Sequence, residues 1–175
     1  MQGLGIKTAV FGIAVHQRFH TTQAIKTTLK NQEKIETAAR QIQTNPDQKI
    51  LGYHGGKSPI VPTGRHGNFY TTVLPTTALL YAQREPEGAV AIVSIPKTLS
   101  LKTINVTPSL SETPDFNPPK IGDADYCSSG FGSGFIPGQK IESLPLQVTS
   151  VPITPIDPQA LLYKGLERIV TPFIV

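Results

Sequence analysis

The 175-residue chain has one cysteine, Cys127, so an internal disulfide framework is excluded. Such a protein folds on its apolar core, and its cysteine usage suits a reducing compartment. Acidic residues are missing from the first thirty-two positions, where Lys7, Arg18, Lys26 and Lys30 all occur before Glu33. Long apolar runs are also missing. The longest near the start, from Ala9 to Val15, is too short to cross a bilayer, and no small-residue cleavage site follows it in the place a secretory signal needs. Concentrated charge is absent as well: sixteen Lys and Arg against twelve Asp and Glu leave +4, scattered along the chain. That argues against a dedicated nucleic-acid binder and licenses only a weak attraction to acidic partners.

Proline and glycine, by contrast, are plentiful. Sixteen prolines and fifteen glycines cut the sequence into short pieces and leave room for one or two long helices at most. The 38% of apolar residues suffices for one ordinary core. Residues 1–22 read as an N-terminal extension, basic, hydroxyl-rich and acid-free like an organellar presequence, with Gln17 to Thr22 as a candidate processing site. Residues 23–175 read as a single domain.

From Thr21 to Gln43 there is neither Gly nor Pro, and Ile25, Leu29, Ile35, Ala39 and Ile42 recur near the helical period. A helix is expected there, ended by Asn45-Pro46-Asp47. Ile50 to Tyr53 reads as a strand entering Gly55-Gly56, whose glycines permit a sharp bend or a close backbone approach to a ligand, and residues 57 to 68 read as a loop. A strand end follows at Asn68 to Thr72, then a short helix from Thr76 to Gln83, capped by Thr76 or Thr77. Ala89 to Ile95 is a continuous apolar run of strand length. Leu99 to Val106, Lys140 to Leu144 and Gln147 to Ile153 are further strand candidates, with a last one around Arg168 to Val170. Between Thr107 and Gly138 no period is visible. Ser128 to Gly134 lacks the lysine of a phosphate loop and reads as a flexible connection bordering a substrate entrance.

Candidate chemistry gathers between Gly52 and Ala82. His54 and Gly55 end one apolar segment, Tyr70 ends the next, and Tyr81 follows eleven positions later, about three helical turns. Two tyrosines opposed across a cleft make a slot for a flat ring, each aromatic contact contributing about 0.5–1.5 kcal/mol beyond area burial. A glycine at 55 lets a ligand amide approach the backbone. The plain alternative is that both tyrosines are core residues. Asp123 and Asp125, with His66, read as a solvated turn rather than metal ligands. Cys127 has no basic neighbour to activate it.

These motifs resemble the catalytic domain of diphtheria-like mono-ADP-ribosyltransferase toxins, of the exotoxin A type. Tyr53-His54-Gly55 is similar to that group's first-strand motif, Phe69-Tyr70-Thr71-Thr72 to its Phe-Tyr-Ser-Thr element, and Ala78 to Tyr81 to its second tyrosine. Lys140 to Leu144, continuing to Pro158, resembles the segment that carries the catalytic glutamate. The resemblance implies an α+β fold with split, mainly antiparallel sheets, an N-terminal helix and an NAD cleft. It implies that His54 and Gly55 hold NAD by its ribose and carboxamide, that Tyr70 and Tyr81 sandwich the nicotinamide, and that Glu142 is catalytic. Glu167 is the rival carboxylate.

The implied activity is transfer of one ADP-ribose from NAD, the substrate, to a macromolecular acceptor, with release of nicotinamide. By analogy the leading acceptor is the diphthamide of elongation factor two, with another protein or a nucleic acid left open. A PARP-like transferase, an NAD glycohydrolase and an inactive NAD- or partner-binding module of the same fold stay open beside it. No metal and no membrane are expected, and a monomer is. Toxin-like action means a reducing cytosol reached by secretion or translocation, whereas the basic N-terminus points to mitochondria. Position 140 is lysine where arginine-modifying relatives carry an acid or glutamine, so arginine is not the expected acceptor. Sixteen steps from His54 to Tyr70, about half that group's usual spacing, predict that the helix between them is shortened or lost.

Overall fold

The computed structural model describes residues 3–62, 67–106, 121–130 and 132–156, with side chains from Thr22 onward. The chain opens on a long helix, α1 (Gly3–Gln43), which begins far earlier than Thr21 and runs unbroken through position 22. No proline occurs before Pro46. Glycines in a helix cost only about 1 kcal/mol each, so those before Thr21 do not stop it. Pro46 does, because the residue ahead of a proline is pushed out of the helical region. The Asn45 carboxamide then accepts the Asp47 N–H at 3.0 Å and completes the turn.

Seven strands follow among the described residues: β1 (Gln48–Lys57), β2 (Phe69–Thr72), β3 (Gly88–Pro96), β4 (Thr103–Asn105), β5 (Tyr126–Gly130), β6 (Ser133–Ile136) and β7 (Gln147–Pro152). Helix α2 (Pro75–Ala82) joins β2 to β3, and a single turn, α3 (Gly138–Ile141), follows β6. The sheet order is β4-β5-β6-β2-β1-β3-β7. Among the described residues only β4 and β5 run parallel. The α+β class and the mainly antiparallel pairing hold.

Strand β3, flanked by β1 and β7, is buried along its whole apolar run, which explains why that run does not alternate. On one sheet face Val90, Ile92 and Val151 pack with Ile35 and Ala39 of α1 and Leu79 of α2. On the other, Val93 packs with Phe69, Ile136 and Ile141. β1 pairs with β3 along nearly its full length, yet with β2 through one residue pair, Tyr53 to Thr72. The sheet is thus two well-laddered halves joined at a narrow seam.

Several local expectations are corrected. β1 continues straight through Gly55-Gly56 without a bend, because both glycines pair with β3, at Val90 and Ala89. Between β1 and β2 no described residue is helical. Thr76 and Thr77 lie inside α2, whose N-cap is Leu74 with Pro75 at the first helical position. There the Thr72 hydroxyl accepts the Leu74 N–H at 3.1 Å instead. β4 covers only Thr103–Asn105 of the span from Leu99 to Val106.

The unpatterned stretch before Gly138 holds a β-hairpin, β5 and β6, turning at Gly132 with φ 71°. A positive φ suits glycine at such a turn. Lys140 to Leu144 is not a strand: Ile141 and Leu144, three apart, meet the same apolar cluster, as a helical turn requires. Residues around Arg168 to Val170 lie outside the described residues.

The chain leaving β7 is fastened to α1 by Asn31, which is fully buried. Its amide nitrogen donates to the Thr154 carbonyl at 2.8 Å, and its amide oxygen accepts the Thr154 N–H at 3.1 Å. One side chain thereby supplies both partners that a neighbouring strand would have given. Replacing Asn31 by Ala leaves both backbone groups without these partners, and the expected cost is about 1–3 kcal/mol. A urea unfolding midpoint equal to that of the wild type would show that the clamp contributes nothing.

Candidate functional site

A cavity of about 360 Å³ opens at the seam, within the usual range of small-molecule sites, roughly 300–1,000 Å³. His54 and Gly55 come from β1, Tyr70 and Thr72 from β2, Thr77 and Tyr81 from α2, and Ser133 from β6. Four residues singled out in the sequence, His54, Gly55, Tyr70 and Tyr81, therefore meet in one place. Another hollow, of about 590 Å³, takes its described lining from one face of α1 alone and brings no groups together from separate elements.

Close seating of α2 on the sheet builds this cavity. A Cβ placed on Gly55 would lie 1.7 Å from the Ala78 carbonyl oxygen, and one on Gly88 would lie 1.8 Å from that of Ala82. Both glycines let the backbone of α2 rest directly on β1 and β3. Gly55 thus makes its close approach to a helix, where a ligand had been expected. Ala78 and Ala82 are buried on this contact, which turns Tyr81 toward the seam.

At 61% and 58% exposure, Tyr70 and Tyr81 are not core residues. Tyr70 rests against Phe135, with centroids 5.5 Å apart and rings tilted by 50°. Where β1 and β2 part, His54 bridges them: its Nδ1 lies 2.7 Å from the Tyr70 carbonyl oxygen. A carbonyl only accepts, so Nδ1 carries the proton and Nε2 is left for another partner. Phe69 stacks on the imidazole at 4.7 Å and holds it in plane. Burial, and then the charge of Glu36, push the Tyr53 phenol above its ordinary value, so it stays a donor across the physiological range.

Thr72, Thr77 and Ser133 add hydroxyls that sequence reasoning did not single out. Ser133 enters because β6 pairs with β2, opposite Thr72. The stretch read as flexible holds the end of β5 and the start of β6, and the legible trace was the turn glycine, Gly132. The Gly132 carbonyl accepts the Val73 N–H at 2.7 Å and fixes the hairpin tip beside the start of α2.

Glu142 does not join this group. It is the exposed C-cap of α3 and lines no part of the cavity, whose described lining holds no acidic side chain. Glu167 and His66 lie outside the described residues. Asp123 and Asp125 both pair with Lys140, and Asp123 with Lys102 as well. Among the described residues no group of three or more His, Cys, Asp or Glu could hold a metal ion, and no helix is long and apolar enough to cross a membrane. Cys127 is buried, and burial pushes its thiol up, away from nucleophilic chemistry. No family model matches the chain, and no curated protein matches it either.

The Lys140 pairing anchors the segment that presents Glu142, and it has a pH signature. The hydrogen bond and charge of Lys140, aided by Lys102, hold the Asp123 carboxyl below its ordinary value. Its stabilising contribution is present above that ordinary value and is lost as pH falls through the lowered one. The same bond raises Lys140, whose contribution is full below the ordinary lysine value and is lost as pH rises through the raised one. Asp123→Asn is therefore expected to shrink the drop in urea midpoint between neutral pH and about pH 3, leaving the plateau near neutrality flat. An unchanged acid limb would remove Asp123 from the acid response.

Proposed function

We propose that the chain is an NAD-dependent mono-ADP-ribosyltransferase of the diphtheria-like, exotoxin A-like kind. It would cleave the bond between nicotinamide and ribose and pass ADP-ribose to a macromolecular acceptor. One observation carries this reading: His54, Gly55, Tyr70 and Tyr81, whose local motifs resemble that group's NAD motifs, converge on one cavity at the narrow seam between β1 and β2. The exposed tyrosines offer π faces to a flat cationic ring, an interaction of about 0.5–2 kcal/mol. His54 Nε2 and the hydroxyls of Thr72, Thr77 and Ser133 are suited to the ribose and carboxamide. On this reading the fold is the ADP-ribosyltransferase fold, its NAD cleft lying where β1 and β2 part.

Loss of nicotinamide develops positive charge on the ribose, which a nearby carboxylate stabilises. By its motif Glu142 takes that role. Its place outside the cavity lining favours a second reading, a module of the same fold that binds NAD without cleaving it. The elongation-factor diphthamide is the acceptor proposed for the transferase.

Incubation with NAD labelled in the adenylate separates the readings. The transferase releases nicotinamide and moves label onto a macromolecule, and Glu142→Ala abolishes both. Equal turnover in the variant would remove Glu142 from the chemistry, and NAD binding with no nicotinamide release by the wild type would leave the binding module. Tyr81→Ala is expected to weaken NAD binding by about 1–3 kcal/mol, the scale for truncating an aromatic anchor. Calorimetric titration measures this, and an unchanged affinity would take Tyr81 out of the ring slot.

A further inference from the structure

We infer that Arg84 is the residue that holds the phosphate of the nucleotide bound in the seam cavity. This assignment rests on the NAD reading of that cavity and extends it to a group which the site motifs leave out. The described lining contains no Lys or Arg, although the proposed ligand carries a diphosphate. Its anion lies one ribose away from the ring, so whatever neutralises it stands next to the residues that hold the ring. Arg84 stands there. Its guanidinium carbon is 5.7 Å from the centroid of the Tyr81 ring, and Tyr81 lines the cavity.

The arginine is also placed to remain available. It is exposed, and the ion pairs among the described residues engage Arg40, Lys102 and Lys140 but not Arg84. Glu85 and Glu87 follow it closely in sequence, and neither pairs with it. Its backbone is held by the Arg84 N–H, which donates to the Tyr81 carbonyl at 3.3 Å, and its guanidinium lies over the Tyr81 ring without an ion-pair partner among the described residues. Just before it, buried Gln83 donates to the Thr28 hydroxyl of α1 at 3.2 Å. A planar guanidinium meets phosphate through two parallel hydrogen bonds. The cation–π contact with Tyr81 places the fork beside the slot before ligand arrives, lowering the entropy lost on binding.

The test is calorimetric titration of the full chain with nicotinamide riboside, nicotinamide mononucleotide and NAD, comparing wild type with Arg84→Gln and Arg84→Lys. Arg84→Gln is expected to weaken the two phosphorylated ligands about tenfold or more, the scale of a charge-assisted hydrogen bond, and to leave the riboside within about twofold. Arg84→Lys should recover part of the loss. Added salt should weaken NAD binding to the wild type more than to Arg84→Gln.

An equal loss for all three ligands would overturn the assignment, because Arg84 would then act only by orienting Tyr81. Unchanged affinities in Arg84→Gln would overturn it too, while leaving the NAD reading in place. If the wild type bound none of the three ligands, the NAD reading and this assignment would fall together.

Discussion

The site depends on a backbone-to-backbone contact, the seating of α2 on β1 and β3 through Gly55 and Gly88. The carbonyls of Ala78 and Ala82, one helical turn apart, press on two glycines of neighbouring strands that offer no side chain in return. A methyl at either position would overlap a carbonyl oxygen, and overpacking of this kind costs about 1–3 kcal/mol or shifts the helix. Any such shift would carry Tyr81 away from the seam. Core packing and site geometry are here the same constraint, since the alanines that touch the sheet and the tyrosine that lines the cavity share one short helix.

The seam is the second condition. Were β1 and β2 laddered along their length, no opening would exist between them. They share one residue pair, after which the Tyr70 carbonyl is met by the His54 imidazole instead of by a backbone N–H. His54 thus satisfies a polar group that strand separation would otherwise leave unpaired, and its second nitrogen is kept for another partner. Each half of the sheet stays rigid through its own ladders, β1-β3-β7 on one side and β2-β6-β5 on the other. The opening therefore does not cost the fold its order.

Much of this was legible in the residues, though unevenly. The apolar run of β3, the strands that carry His54 and Tyr70, and the short helix carrying Tyr81 follow from local pattern, although β1 runs on past His54 to Lys57 instead of ending there. The length of α1 was not legible from a search for Gly-free segments, because scattered glycines weaken a helix without ending it, whereas Pro46 ends it. The hairpin of β5 and β6 was hidden because its strands are short, rich in Ser and Gly, and stabilised by partners distant in sequence. Ser133 reaches the cavity only through its pairing with Thr72. Lys140 to Leu144 was read as a strand, yet Ile141 and Leu144, three apart, belong to one helical turn and meet one apolar cluster.

The sequence by itself determined the inventory: one domain's worth of core, no disulfide framework, and a histidine, a glycine and two tyrosines in an order that suits a ring-binding cleft. Local chemistry suffices for that, since element type and residue type are short-range properties. Only the tertiary structure decided which of these groups meet. It brought His54, Gly55, Tyr70 and Tyr81 to one seam, added the hydroxyls of Thr72, Thr77 and Ser133, set Arg84 against Tyr81, and placed Glu142 on a turn outside the cavity lining. The physical reason is that strand pairing and helix seating join residues far apart in the chain, and no local period records which partner a strand will choose.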